Sequence, residues 1–170
     1  MAGRSKRSKC LATHSAATKS SFMLKKTLFQ HCADHLNNNL GLFDQRKSDL
    51  LVALASESKS SAGDKHETGR AMLQLEREKL GEQLKETERK LKLLLPLENH
   101  VSTKTITIGS VVKTDQLSYY IAVSIPALEI DKTTYYCISA QSPIGKLLLG
   151  KKVGETISFN HITSNIIEIH

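Results

Sequence analysis

The sequence predicts an α+β protein: a long antiparallel α-helical hairpin, then a small β-rich domain with one short helix. Three observations predict it. Apolar residues recur at steps of three and four from Leu24 to Leu94, the period of one helix face. A Ser- and Gly-containing break from Lys59 to Gly69 divides that run in two. After Asn99 the pattern changes to short β-branched and aromatic clusters, which read as strands. The expected division is therefore a basic tail over 1–22, a coiled-coil hairpin over 23–97 and a β-rich domain over 98–170.

The chain of 170 residues has a modest core, mostly aliphatic, because aromatics make up 5% and tryptophan is absent. Its net charge of +7 is unevenly spread. Residues 1–22 hold five basic side chains and no acid. Residues 23–100 hold 13 basic and 12 acidic groups, and residues 101–170 hold six and five. The expected folded part is nearly neutral, so the charge alone does not make it a nucleic-acid binder. The tail reads as disordered, with a transit peptide or a nucleic-acid-binding arm as functional alternatives. Cys10, Cys32 and Cys137 are widely spaced and odd in number, which points to a reducing compartment rather than a disulfide framework. No apolar run approaches a membrane span, and no apolar stretch of a secretory signal follows the basic start.

The first helical stripe is Leu24, Leu28, Cys32, Leu36, Leu40, Phe43, Leu50 and Leu54, with Lys47 in the missing slot. The second is Leu73, Leu80, Leu84, Leu91 and Leu94, with Arg77 and Thr87 between. Glu86 with Lys90 and Glu88 with Lys92 have the favourable order for pairs one turn apart. Pro96 ends the helix. Arms of roughly 30 residues at 1.5 Å rise give a rod of about 45 Å. At its tip Asp64 and Glu67 stand three residues apart. That spacing alone favours a capping box at a helix start; the alternative is two carboxylates offered jointly to a hard cation such as Mg²⁺. His31, Cys32, Asp34 and His35 share a stretch of helix, but no further ligand converges on them, and a solvated face is the simpler reading.

Beyond Asn99 the expected strands are Ile106–Ile108, Val111–Val112, Tyr119–Val123, Tyr135–Ile138, Thr156–Phe159 and Ile166–Ile169. Asp115-Gln116 and Asp131-Lys132 are expected turns. Ser142-Pro143 followed by Ile144 to Leu149 reads as a helix with Ser142 as N-cap, Pro143 at its first position and Gly150 as its stop. The run from Gly145 to Lys152 approximates a phosphate-binding loop, but Lys152 replaces the required hydroxyl and the loop is solid leucine. No Ser/His/Asp or Cys/His nucleophile constellation is present.

Ile138-Ser139, Ser142-Pro143-Ile144-Gly145-Lys146 and Leu148-Leu149-Gly150-Lys151-Lys152-Val153-Gly154-Glu155 together resemble the C-terminal signature of the Gre-type (GreA/GreB) transcript cleavage factors of bacterial RNA polymerase. Gly109-Ser110-Val111-Val112 is similar to the strand that precedes it, and Gly63-Asp64-x-x-Glu67 to the family's coiled-coil tip. The resemblance implies an FKBP-like C-terminal domain that docks on RNA polymerase, with Ser142, Pro143, Gly145, Lys146, Gly150 and Lys151 as partner-binding residues. It implies a coiled coil that enters the polymerase secondary channel. There Asp64 and Glu67 would act as assisting catalytic acids and as ligands of a second Mg²⁺, so that the polymerase hydrolyses backtracked RNA. By the same resemblance the factor is not an enzyme by itself, has no cofactor of its own and meets the nascent RNA 3′ end indirectly. It would be a cytoplasmic monomer. The family follows its second acid with Asn-Ala, an acid and an aromatic, whereas Thr68-Gly69-Arg70-Ala71 stands here. Alternative readings are a non-cleaving regulatory relative, an FKBP-like prolyl isomerase or chaperone, and a DNA- or RNA-binding coiled coil that uses the basic tail.

Overall fold

The structure, a computed structural model, describes residues 8–57, 64–101 and 103–170, with side chains described over 21–56 and from 68 onward except 102. Two long helices lead, α1 (Ser8–Glu57) and α2 (Asp64–Leu94), and a 3₁₀ turn at Leu95–Leu97 follows. Then come β1 (Val111–Thr114), β2 (Ser118–Ala122), β3 (Leu128–Ile130), β4 (Thr133–Ser139), α3 (Pro143–Leu148), β5 (Thr156–Phe159) and β6 (Ile162–Ile169). This is the expected α+β order. α1 starts at Ser8, inside the stretch expected to be a disordered tail. No glycine or proline interrupts residues 8–22, so nothing local forbids a helix there.

The chain forms two compact units: Met1–Cys32 with Pro96–His170, and Ala33–Leu95. The boundary cuts α1 at Cys32, whereas the expected hairpin begins at residue 23. In the unit Ala33–Leu95, Leu50, Leu80, Thr87 and Leu94 are buried on the two expected stripes. Lys47 and Arg77, the polar occupants of those stripes, are exposed. The buried Thr87 hydroxyl donates to the Gln83 carbonyl at 2.8 Å, which satisfies it within its own helix. Arg46 shares a groove with Met72, Leu75, Leu80 and Gln83. Arg46 precedes the end of α1 by about as many residues as Leu75 follows the start of α2, so the helices run antiparallel. At 1.5 Å per residue the 31-residue α2 is about 46 Å long. On the outer face Glu86 pairs with Arg89 through two bonds of 2.8 and 3.0 Å, not with Lys90 as the spacing suggested. The planar guanidinium fits both carboxylate oxygens at once.

In the other unit the six strands form one sheet in the order β3-β4-β2-β1-β6-β5. Every pairing is antiparallel except β2 with β4. The central strands β1 and β2 are buried on both faces, as covered sheets require. One face carries the main core of Ile106, Val112, Ile121, Ile144, Leu148, Ile157 and Ile166, closed by α3. On the opposite face Val111, Tyr120 and Cys137 lie side by side in register. Cys32, Leu28 and Phe29 are buried on the first part of α1.

Two hairpins turn in two residues, Asp131-Lys132 and Asn160-His161, with all four residues at positive φ. That is the turn geometry that matches strand twist, and Asp and Asn tolerate it. Two strand expectations need correction. Ile106–Ile108 is not a strand: the Ile106 amide donates to the Lys151 carbonyl at 2.8 Å and its carbonyl accepts from Gly150 at 2.9 Å. These bonds tie it to the loop after α3 through one isolated bridge, Thr105 with Lys152. β3, absent from the sequence reading, is an edge strand of three residues. A segment so short shows no periodicity of its own.

Candidate functional site

The signature segment from Ser139 to Glu155 is held by side chains that read as partner contacts in the sequence. The Ser139 carbonyl accepts from the Ser142 amide at 3.0 Å and from its hydroxyl at 2.6 Å. The Ser142 hydroxyl in turn accepts from the Gly145 amide at 3.1 Å, which makes Ser142 the N-cap of α3. Pro143 then occupies the first turn, where a missing N–H is harmless. A Cβ on Gly145 would lie 2.3 Å from the Ser139 carbonyl oxygen, so only glycine fits. After α3, Gly150 adopts φ +79° and donates to Ile106. Lys151 Nζ donates to Glu155 Oε1 at 3.1 Å, and the Lys152 amide to Glu155 Oε2 at 2.6 Å. The Lys151 ammonium and then the Lys152 amide hold the Glu155 carboxyl below the usual glutamate range.

Of the six partner-binding candidates, then, Ser142, Gly145, Gly150 and Lys151 shape the turn itself. Pro143 and Lys146 face solvent, beside the exposed Leu147. Ile144 points the other way, into a groove of about 450 Å³ that it shares with Leu117, Tyr119, Tyr136, Ile138, Phe159 and Ile162. Sequence reasoning missed this groove because its residues come from four separated segments. The signal was the exposed apolar set: Leu117, Tyr136 and Ile162 remain 43%, 40% and 59% exposed. The Tyr119 and Tyr136 rings lie 6.2 Å apart at 44°, a tilted aromatic pair. Burial and then Tyr136 push the Tyr119 hydroxyl above its usual range, so it stays neutral. No charged side chain lines the groove. It suits apolar side chains rather than a phosphate or a charged substrate.

The second candidate site is the start of α2. Asp64 is the first helical residue, and Glu67 follows within the same turn, so their backbone positions share one face. The side chains of both acids lie outside the described residues. Beyond them Thr68, Arg70 and Ala71 are exposed, and a Cβ on Gly69 would meet nothing within 4 Å. The weaker His31–His35 candidate is taken apart by the helix. Cys32 turns into the core, His31 Nε2 lies 3.4 Å from the Pro126 carbonyl, and His35 Nε2 lies 3.2 Å from Asn39 Nδ2. Among the described residues no group of three or more His, Cys, Asp or Glu is placed to hold a metal ion. No helix among them is long and apolar enough to cross a membrane.

Two long helices are thus followed by a six-stranded sheet whose capped helix α3 lies beside an apolar groove. Residues 101–170 match the family model described as transcription elongation factor, GreA/GreB, C-term. The match thus shows a GreA/GreB-type C-terminal domain over those residues; it includes Gly109–Val112 and Ile138–Glu155, whereas Gly63, Asp64 and Glu67 lie outside it. A search of curated proteins finds no match to the chain.

Proposed function

We propose that the protein is an accessory transcription elongation factor that binds RNA polymerase through its C-terminal domain and presents the start of α2 to the polymerase active centre. The observation that carries this reading is the family match over 101–170. The docking face would be the exposed Pro143 and Lys146 with the adjoining apolar groove. Ser142, Gly145, Gly150 and Lys151 contribute by fixing the turn that offers those two residues. Asp64 and Glu67, one turn apart on α2, supply hard oxygen donors of the kind Mg²⁺ takes. Two carboxylates leave most of an octahedral shell open, so the ion would be shared with the polymerase. Its chemistry when bound is the activation of water for phosphodiester hydrolysis.

Co-purification of the full chain with a bacterial RNA polymerase tests the docking step. Wild type is expected to co-elute, and Tyr136→Asp, which puts a charge into the groove, to weaken binding at least tenfold. Co-elution unaffected by Tyr136→Asp and by Lys146→Glu would reject this face. A second reading, prolyl isomerisation, draws on the same aromatic-lined groove. It requires turnover of an X-Pro peptide by the full chain without polymerase.

A further inference from the structure

Beside the first part of α1, within the unit of the sheet, lies a cavity that the polymerase reading does not use. It measures about 110 Å³, and Phe22, Lys25, Lys26, Glu98, His100 and Tyr120 are among the residues that line it. Lys25 Nζ lies 3.3 Å from His100 Nδ1 and 3.5 Å from the His100 carbonyl oxygen. Lys25 makes a further interaction besides these, so its amine is held in place. An ammonium only donates, so Nδ1 is the unprotonated ring nitrogen and Nε2 carries the proton. Nε2 donates to Thr107 Oγ1 at 3.0 Å. Thr107 Oγ1 lies 3.3 Å from the hydroxyl of the buried Ser110, which also accepts from the Thr107 amide at 3.0 Å. The ring rests on Gly109, where an added Cβ would meet His100 Cγ at 2.5 Å. The imidazole is therefore fixed in position and tautomer, with its basic nitrogen turned to the lysine.

We propose that Lys25 is an acylation site, with small acyl phosphates as the donors and His100 as the base that takes the amine's proton. The Lys25 ammonium first gives one proton to water. The free amine then attacks the acyl carbon: the N–C bond forms, and the carbonyl electron pair moves onto oxygen. As that pair returns, the C–O bond to phosphate breaks and phosphate leaves with its electrons. The excess proton on nitrogen passes to His100 Nδ1 and from there to solvent. One amine and one acyl phosphate thus give one amide and one phosphate.

The surroundings favour this step. Burial holds the Lys25 ammonium below the ordinary lysine range, which enlarges the share of free amine. Burial and then Lys25 hold the His100 imidazole below its usual range, so it is a neutral acceptor at neutral pH. The other titratable groups that face the pair are Lys26 from α1, Glu98 from the turn after Leu95–Leu97, and Tyr120 from β2. Burial pushes the Tyr120 hydroxyl above its usual range, so it stays neutral. The exposed Lys26 ammonium offers a cation to the phosphate of the donor. The cavity holds the volume of a few water molecules at about 30 Å³ each, enough for an acetyl group. Acylation removes the Lys25 charge and leaves one N–H in place of three, which alters the tie between α1 and His100.

The test treats the full chain with acetyl phosphate and follows the acetylated fraction of each lysine by peptide mass spectrometry. Lys26, the next residue on the same helix and exposed, is the internal standard. Lys25 should react at least ~tenfold faster than Lys26 at neutral pH, and its rate should level off at a lower pH. His100→Gln should bring Lys25 to within about twofold of Lys26 while the Lys26 rate stays unchanged. Equal or slower reaction at Lys25 in the wild-type chain would overturn the proposal. So would an advantage that survives His100→Gln in a chain whose circular dichroism is unchanged. Where His100→Gln fails to fold, the wild-type pH profile decides, and a Lys25 rate that climbs in step with Lys26 refutes the assignment.

Discussion

Glycine stands in both units, and its surroundings differ completely between them. In the C-terminal domain a Cβ on Gly145 would strike the Ser139 carbonyl oxygen at 2.3 Å, and Gly150 sits at φ +79°. In the hairpin, Cβ atoms on Gly41, Gly69 and Gly81 would meet nothing within 4 Å. The signature of the C-terminal domain is therefore written in residues the backbone demands, and that is why so many consecutive positions are informative. The hairpin asks only for a stripe of apolar residues and tolerates almost anything outside it. A functional acid at its tip is not distinguishable from a cap by spacing alone.

The sharpest way to break this comparison is one substitution made in both places. Gly145→Ala should destabilise the C-terminal domain by about 3 kcal/mol, because the obstructing atom is backbone and cannot move aside. Ser142→Ala should cost about 1 kcal/mol, read by chemical denaturation, through loss of the α3 cap. Gly81→Ala, in the exposed middle of α2, should do the reverse and raise stability by roughly 0.8 kcal/mol. A destabilised Gly81→Ala would mean that the hairpin packs against something at that face.

The smallest effect concerns Glu155, whose carboxyl is held below its usual range by Lys151 and the Lys152 amide. A carboxyl lowered on folding contributes fully above its ordinary value, and the contribution is lost as pH falls through the lowered one. Stability measured across that acid window should therefore drop, and Glu155→Gln should flatten the drop. The pair is exposed, so salt should shrink the effect.

Much of the C-terminal domain was legible for the same physical reason. Ser142-Pro143 with Gly150 marks α3, and Asp131 marks a tight turn, because each of these residues suits the backbone conformation at its position. The errors arose where the determining contact is distant in sequence. Ile106–Ile108 has a strand's composition, but its hydrogen bonds go to the loop after α3. β6 starts at Ile162, earlier than the apolar cluster at Ile166 suggests, because Asn160-His161 turns the chain directly back from β5. Phe29 and Cys32 look like hairpin seam or surface, yet they belong to the compact unit of the sheet. The groove stayed hidden because its lining comes from the β1–β2 turn, two strands, α3 and the β5–β6 hairpin.

The most direct test of the account is RNA cleavage in stalled, backtracked polymerase complexes. Wild type should stimulate release of the 3′ fragment. A chain carrying Asp64→Asn and Glu67→Gln should bind polymerase as tightly, unfold at the same denaturant concentration within error, and lose the stimulation at least a hundredfold. Full stimulation by the doubly substituted chain, or none by wild type in a complex it demonstrably occupies, would contradict a chemical role for the start of α2.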